Sequence, residues 1–327
     1  MPIDPANPLV CVAPMMAWTD RHCRYLLRLF SPSSLLFTEM VPTGALVHGE
    51  QWHQLEYDPA ELPLVLQLGG NDPQHLALCT AEAAHRGFNE VNLNVGCPSE
   101  RVQQGAFGAC LMLQPRLVAE CVAAMRDAAD ITVSVKCRLG VDQHDSDDAL
   151  FSFIDTLASS GCQRFYVHAR KAILGGLSPA QNRSIPPLQP ERVARVKSQR
   201  TDLQVIINGG ITDLPTAIGH LQWADGVMIG RAAYQRPQYL AELERRLFNP
   251  DFAPDLADIL DDYCRYANTQ VACGHRLGNL TRHLLHACNG LPGARRFRRT
   301  LSDSVRLKAN DLGVLTDAIS QVYPQAA

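Results

Sequence analysis

Short apolar runs recur along most of the chain, at 9–15, 35–40, 62–68, 88–95, 132–139, 164–169, 204–208 and 224–229. Each is followed by a polar or helical stretch. Most are continuously apolar rather than alternating, the pattern of parallel strands covered on both faces. Amphipathic segments lie between them, at 73–86, 115–129, 147–160 and 214–221. Asn71-Asp72-Pro73 opens the first of these with capping side chains and a proline in the first turn. Eight β-α units over residues 1–248 match the count and size of an α/β fold closed as a (β/α)8 TIM barrel. A doubly wound open sheet is the competing arrangement, but eight units without an evident edge strand favour closure. Asn249, Pro250 and Pro254 then mark a linker. Beyond it the pattern predicts helices at 254–272, 277–288, 294–302 and 314–322, a small all-α bundle occupying 249–327.

Charge divides the chain in the same way. The net charge of −3 over 327 residues suggests no general appetite for polyanions. Between Cys264 and Asn310, however, nine basic residues stand against one acid, Asp303, while the remainder has 21 basic residues against 32 acids. A basic module on an acidic body points to a local polyanion site; the competing explanation is a solvated helix face. Eleven cysteines form no Cys-x-x-Cys pair and no zinc-like Cys/His spacing, so no metal is expected. With no signal peptide and no apolar run near the roughly 18 residues a bilayer requires, these thiols indicate a reducing, cytoplasmic setting. Cys11, Cys110, Cys121, Cys162 and Cys288 sit among apolar neighbours and read as core residues.

Cys97 differs. Val91, Leu93 and Val95 alternate up to Gly96-Cys97-Pro98, whose glycine and proline end the strand and lift the thiol into a loop. A cysteine there can deliver a proton to a bound substrate. In a (β/α)8 barrel the loops after the seventh and eighth strands commonly bind phosphate. Here they read Asn208-Gly209-Gly210 and Gly230-Arg231. Gln67, Lys136 and His168 place further polar groups at strand ends, where an apolar core would penalise them. Together these residues suggest a planar, phosphorylated cofactor. FMN fits, with an amide for the uracil-like edge and a lysine for negative charge on the ring. A Rossmann dinucleotide fingerprint is absent.

Ala13-Pro14-Met15-Met16, Leu66-Gln67-Leu68-Gly69-Gly70, Asn92-Leu93-Asn94-Val95-Gly96-Cys97-Pro98-Ser99, Val167-His168-Ala169-Arg170, Asn208-Gly209-Gly210 and Gly230-Arg231 together resemble the tRNA-dihydrouridine synthase family. Residues 18–24, 177–179 and 290–295 resemble its bacterial A-type branch, which implies uridines 20 and 20a of the tRNA D-loop as targets. The resemblance makes Cys97 the proton donor to C5 of uridine, with hydride passing from N5 of FMN to C6 and NADPH (or NADH) as reductant. It assigns Pro14, Met15, Met16, Gln67, Lys136 and His168 to the flavin ring, and Asn208, Gly209, Gly210, Gly230 and Arg231 to its phosphate. Asn94 would face the uracil, and Arg183, Arg295, Arg296, Arg298 and Arg299 would meet tRNA. No obligate protein partner and no membrane are implied. The chain departs from the A-type pattern at Ala17, where aspartate is usual, and at Ser184, where an acid is common; the second leaves the part played by the 182–184 loop open. Two other functions remain at this level: an FMN barrel acting on a small molecule, and a non-catalytic RNA-binding protein.

Overall fold

The computed structural model describes residues 8–323. Its chain divides into two compact units: one takes in the chain up to Met16 together with Leu35–Gly230, the other Ala17–Ser34 and the chain from Arg231 onward.

The first unit is built on nine strands: β1 (Leu9–Val12), β2 (Leu36–Phe37), β3 (Val41–Pro42), β4 (Leu64–Gly69), β5 (Glu90–Val95), β6 (Thr132–Arg138), β7 (Arg164–His168), β8 (Gln204–Asn208) and β9 (Gly226–Ile229). They pair in the order β1-β9-β8-β7-β6-β5-β4-β2, every pairing being parallel. The ring closes through a parallel bridge between Cys11 and Leu35, where Val12 N–H donates to Leu35 O at 3.0 Å and Leu35 N–H to Val10 O at 2.8 Å. This is the TIM-type barrel, and closure disposes of the open doubly wound sheet. The second apolar run gives only the two-residue β2, and the equally short β3 follows just past its end. The Thr38 hydroxyl accepts the Gln67 N–H at 3.0 Å, replacing a ladder carbonyl, and only β3 resumes pairing with β4.

Side chains inside the barrel follow the strand period of two. Leu9, Cys11, Phe37, Val65, Tyr166, Ile206 and Met228 pack together as an apolar half. The other half is polar: Gln67 on β4, Glu90, Asn92 and Asn94 on β5, and Ser134 on β6, all buried. The apolar alternation of Val91, Leu93 and Val95 is therefore the outer face of β5, against the helices. Asp72 caps the helix Pro73–His85 as expected, its carboxylate accepting the Gln74 and His75 N–H groups at 2.9 Å each.

The second unit begins at Arg231 rather than after Phe248, and it also takes in the helix Arg21–Phe30. The reason is local bonding. Glu244, on the helix Gln238–Leu247, accepts from the Ser31 and Ser33 hydroxyls at 2.6 Å each. His22 bonds Tyr266 at 2.8 Å, and Tyr25 stacks on Tyr266 with centroids 3.8 Å apart. The remaining helices are Arg231–Gln235, Leu256–Ala272, Leu277–Leu284, Ala294–Leu301, Ser304–Lys308 and Gly313–Ser320. No helix among the described residues is long and apolar enough to cross a membrane.

Candidate active site

Cys97 sits two residues past β5, half-buried, and its backbone is held on both sides. Its N–H and that of Gly96 donate to Asn94 Oδ1 at 2.9 and 3.1 Å. Its carbonyl accepts from Ala109 N–H at 2.9 Å. Gly108, at φ 77°, permits that approach, since a Cβ there would lie 2.6 Å from the Cys97 oxygen. The thiol itself lies 3.5 Å from Ser99 Oγ. The other cysteines are also free; Cys11, Cys121, Cys162 and Cys288 are buried and Cys110 is half-buried.

Lys136 projects from β6 and donates to Asn208 Oδ1 at 2.9 Å, while Asn208 Nδ2 donates to Met228 O at 2.7 Å. Burial, helped by neighbouring Arg138, pushes the Lys136 ammonium down to about 7. Burial and the surrounding cations Arg138, Lys136, Arg170 and Arg183 hold His168 well below the usual histidine range, so its ring is neutral. Gly209 and Gly210 follow β8 at φ 107° and 73°; a Cβ at Gly209 would come 2.7 Å from the His168 ring. Such a turn gathers successive N–H groups into a concave nest for an anion. A Cβ at Gly230 would meet nothing within 4 Å, and Arg231 begins the next helix, Arg231–Gln235. Pro14 and Met15 are half-buried after β1, and Met16 is exposed.

Two placements refine the sequence expectations. Asn94 spends Oδ1 on the Cys97 turn and one N–H on Gln67 Oε1 at 2.8 Å, so a single N–H is left for any substrate. The nine-to-one basic excess is also partly neutralised from outside its window. Arg265 pairs with Asp262, Arg282 with Asp20, and Arg306 with Asp311 and Asp317. Arg298 donates to Asn289 Oδ1 at 2.8 Å. Arg295, Arg296 and Arg299 are exposed and, among the described residues, unpaired. Arg295 and Arg296 line a depression of about 580 Å3 with Leu291, Pro292, Gln321 and Val322. Arg183, in the first unit, is exposed at the end of the turn Gln181–Arg183.

Arg138 is a residue the motifs did not single out. Buried, it donates to Gly96 O at 3.1 Å and to Asn182 O at 3.0 Å, tying the cysteine loop to the segment after β7. The signal available was a cation inside an apolar run.

Burial of Lys136 also makes stability depend on pH. In the unfolded chain the ammonium loses its proton near 10.5, in the folded chain near 7. Between those values the unfolded state binds more protons, so this group makes stability rise with pH across that window and adds no slope below it. Flavin-free protein is therefore expected to lose more stability between pH 10 and pH 7 than its Lys136→Met variant. Denaturant titrations at both pH values read the difference.

The closed parallel barrel carries these polar groups and glycine turns at its strand ends, the arrangement of a barrel enzyme. The chain belongs to the dihydrouridine synthase family, whose model (Dihydrouridine synthase, Dus) matches residues 11–322. It is 48% identical over 314 residues to the tRNA-dihydrouridine(20/20a) synthase of Vibrio parahaemolyticus, covering 95% of this chain and 96% of that protein. To the protein of the same name from Escherichia coli K12 it is 50% identical over 313 residues, with 95% and 90% covered. Among solved structures it resembles morphinone reductase bound to tetrahydroNAD (TM-score 0.52, 13% identity, 74% and 88% of the chains). It also resembles the old yellow enzyme homologue of Zymomonas mobilis (TM-score 0.52, 12% identity, 79% and 93%). At these identities the two structures speak for the fold.

Proposed function

We propose that this chain is a cytoplasmic tRNA-dihydrouridine(20/20a) synthase that uses FMN and NADPH to saturate the C5–C6 bond of D-loop uridines. The observation that carries the reading is Cys97, a half-buried thiol whose loop is pinned at both N–H and C=O, following a strand paired with the one that carries Lys136. The residues present fit FMN: the turn at Gly209 and Gly210 and the open backbone at Gly230 suit its phosphate, with Arg231 adding a charge-assisted bond. Gln67, Lys136, His168 and the Pro14–Met16 backbone would hold the ring, with Asn208 on the phosphate side. Bound there, the flavin supplies the hydride for C6 of the uracil.

The chain's own groups do the rest. Cys97 delivers the proton to C5. Arg138, donating to Gly96 O at 3.1 Å, braces the loop from which the thiol acts. Neutral His168 can offer a hydrogen bond without adding a charge. A base stacked in tRNA cannot reach a barrel mouth, so the target uridine must be turned out of its loop. Arg295, Arg296 and Arg299 are suited to the phosphates and unstacked bases around it.

The deciding experiment is incubation of the purified yellow protein with NADPH and dihydrouridine-free tRNA, followed by mass spectrometry of mapped tRNA fragments. A gain of about 2 Da confined to positions 20 and 20a is expected. Flavin turnover with small enones or orotates but none with tRNA would refute the assignment in favour of a small-molecule barrel.

A further inference from the structure

A file of polar side chains runs through the barrel interior below Cys97. Arg164, on β7, is ion-paired with Glu90 at the far end of β5. Ser134 Oγ donates to Glu90 Oε1 at 2.5 Å. Asn92 Nδ2 donates to Ser134 Oγ at 2.7 Å, Gln67 Nε2 to Asn92 Oδ1 at 2.8 Å, and Asn94 Nδ2 to Gln67 Oε1 at 2.8 Å. Asn94 Oδ1 then accepts the Gly96 and Cys97 N–H groups. Glu90, Asn92 and Ser134 are 0% exposed and Gln67 is 1% exposed, so water does not substitute for these bonds.

Every bond in the file points the same way, and chemistry explains why. An ionised carboxylate can only accept, so the Ser134 hydroxyl must donate to Glu90. The hydroxyl oxygen is then free to accept from Asn92, which turns the Asn92 carbonyl toward Gln67. That in turn fixes the Gln67 amide, and Gln67 fixes Asn94. Three carboxamides, each able to flip, are held in one orientation by a single acceptor-only group at the bottom of the barrel. At the top, backbone N–H groups can only donate. They are satisfied only while Asn94 presents its oxygen, which is the orientation the file enforces.

We propose that Glu90 is a positioning residue for Cys97: through Ser134, Asn92, Gln67 and Asn94 its carboxylate sets the orientation of the turn that carries the thiol. Arg164 supplies the counter-charge that a buried carboxylate needs. The Glu90→Gln change is isosteric but introduces a group that can donate as well as accept, so the file could reverse. The Asn94 amide would then turn its N–H groups against those of Gly96 and Cys97.

This role rests on Cys97 as proton donor, and its test has a readout independent of the proton. Peptide-resolved amide exchange over residues 95–99 is measured for flavin-loaded and flavin-free wild type, for Glu90→Gln and for Ser134→Ala. Ser134→Ala breaks the file without leaving Arg164 unpaired, and so covers the case in which Glu90→Gln fails to fold. Both variants are expected to exchange faster at 95–99 by about tenfold, the effect of losing one hydrogen bond, while β8 stays protected. With tRNA, kcat should fall by roughly tenfold to a hundredfold and KM should hold, as for a displaced reacting group. Wild-type exchange at 95–99 in the folded variants would overturn the proposal, whatever happens to turnover. Failure of the proton-donor role would instead show as tRNA reduction by a Cys97 variant with the exchange result unchanged.

Discussion

Cys97→Ala is expected to purify yellow, to accept electrons from NADPH at the wild-type rate, and to leave tRNA uridines nearly untouched. The thiol is half-buried in a loop beyond β5, and that loop is held by backbone bonds that alanine preserves: the N–H donates to Asn94 Oδ1 and the carbonyl accepts from Ala109 N–H. Only the proton for C5 is lost. A positioned general acid is worth about 10²–10⁴ in rate, so single-turnover oxidation of the reduced protein by tRNA should slow by that factor. The second half-reaction is the one to time, because steady-state assays mix it with flavin reduction. Near-normal single-turnover rates would remove Cys97 from the chemistry and pass the proton to another group or to water.

Replacing Arg295, Arg296 and Arg299 together with alanine should weaken tRNA binding without altering flavin content or NADPH oxidation by other acceptors. The helix Ala294–Leu301 is held by the buried Ala294, Phe297 and Leu301, which the change leaves in place. Two of the three arginines lie in its first turn, where the helix dipole disfavours a cation, so alanine does not cost helix stability there. For single-stranded RNA, removing one arginine–phosphate pair flattens the log–log salt dependence by roughly 0.7, hence by about 2 for all three. Salt titrations of tRNA affinity for wild type and variant make the comparison. Arg298 is omitted because Asn289 already holds it. Identical slopes would identify the cluster as a solvated face.

Periodicity alone settled the eight apolar runs, their parallel character and the helical tail, because burial on both faces of a strand, or on one face of a helix, writes itself directly into residue order. Gly209 and Gly210 after β8 were legible for a similarly local reason: at φ 107° and 73° each takes a backbone that few other residues adopt. The unit boundary was not legible. A linker at 249–254 looks like a border, yet the Glu244 carboxylate and the Tyr25–Tyr266 stack join the helices 21–30 and 238–247 to the tail through residues more than 200 positions apart. The charge count was incomplete likewise, since Asp20 pairs with Arg282 from far outside the counted window. The interior file shows the division most clearly. Glu90, Asn92 and Asn94 alternate with Val91, Leu93 and Val95 in plain view, but which set faces the barrel depends on closure. Only β4, β6 and β7 brought together around β5 supply Gln67, Ser134 and Arg164 to turn three isolated polar residues into one oriented chain of hydrogen bonds. Sequence order decides what each residue can donate or accept, and tertiary structure decides which partner it meets.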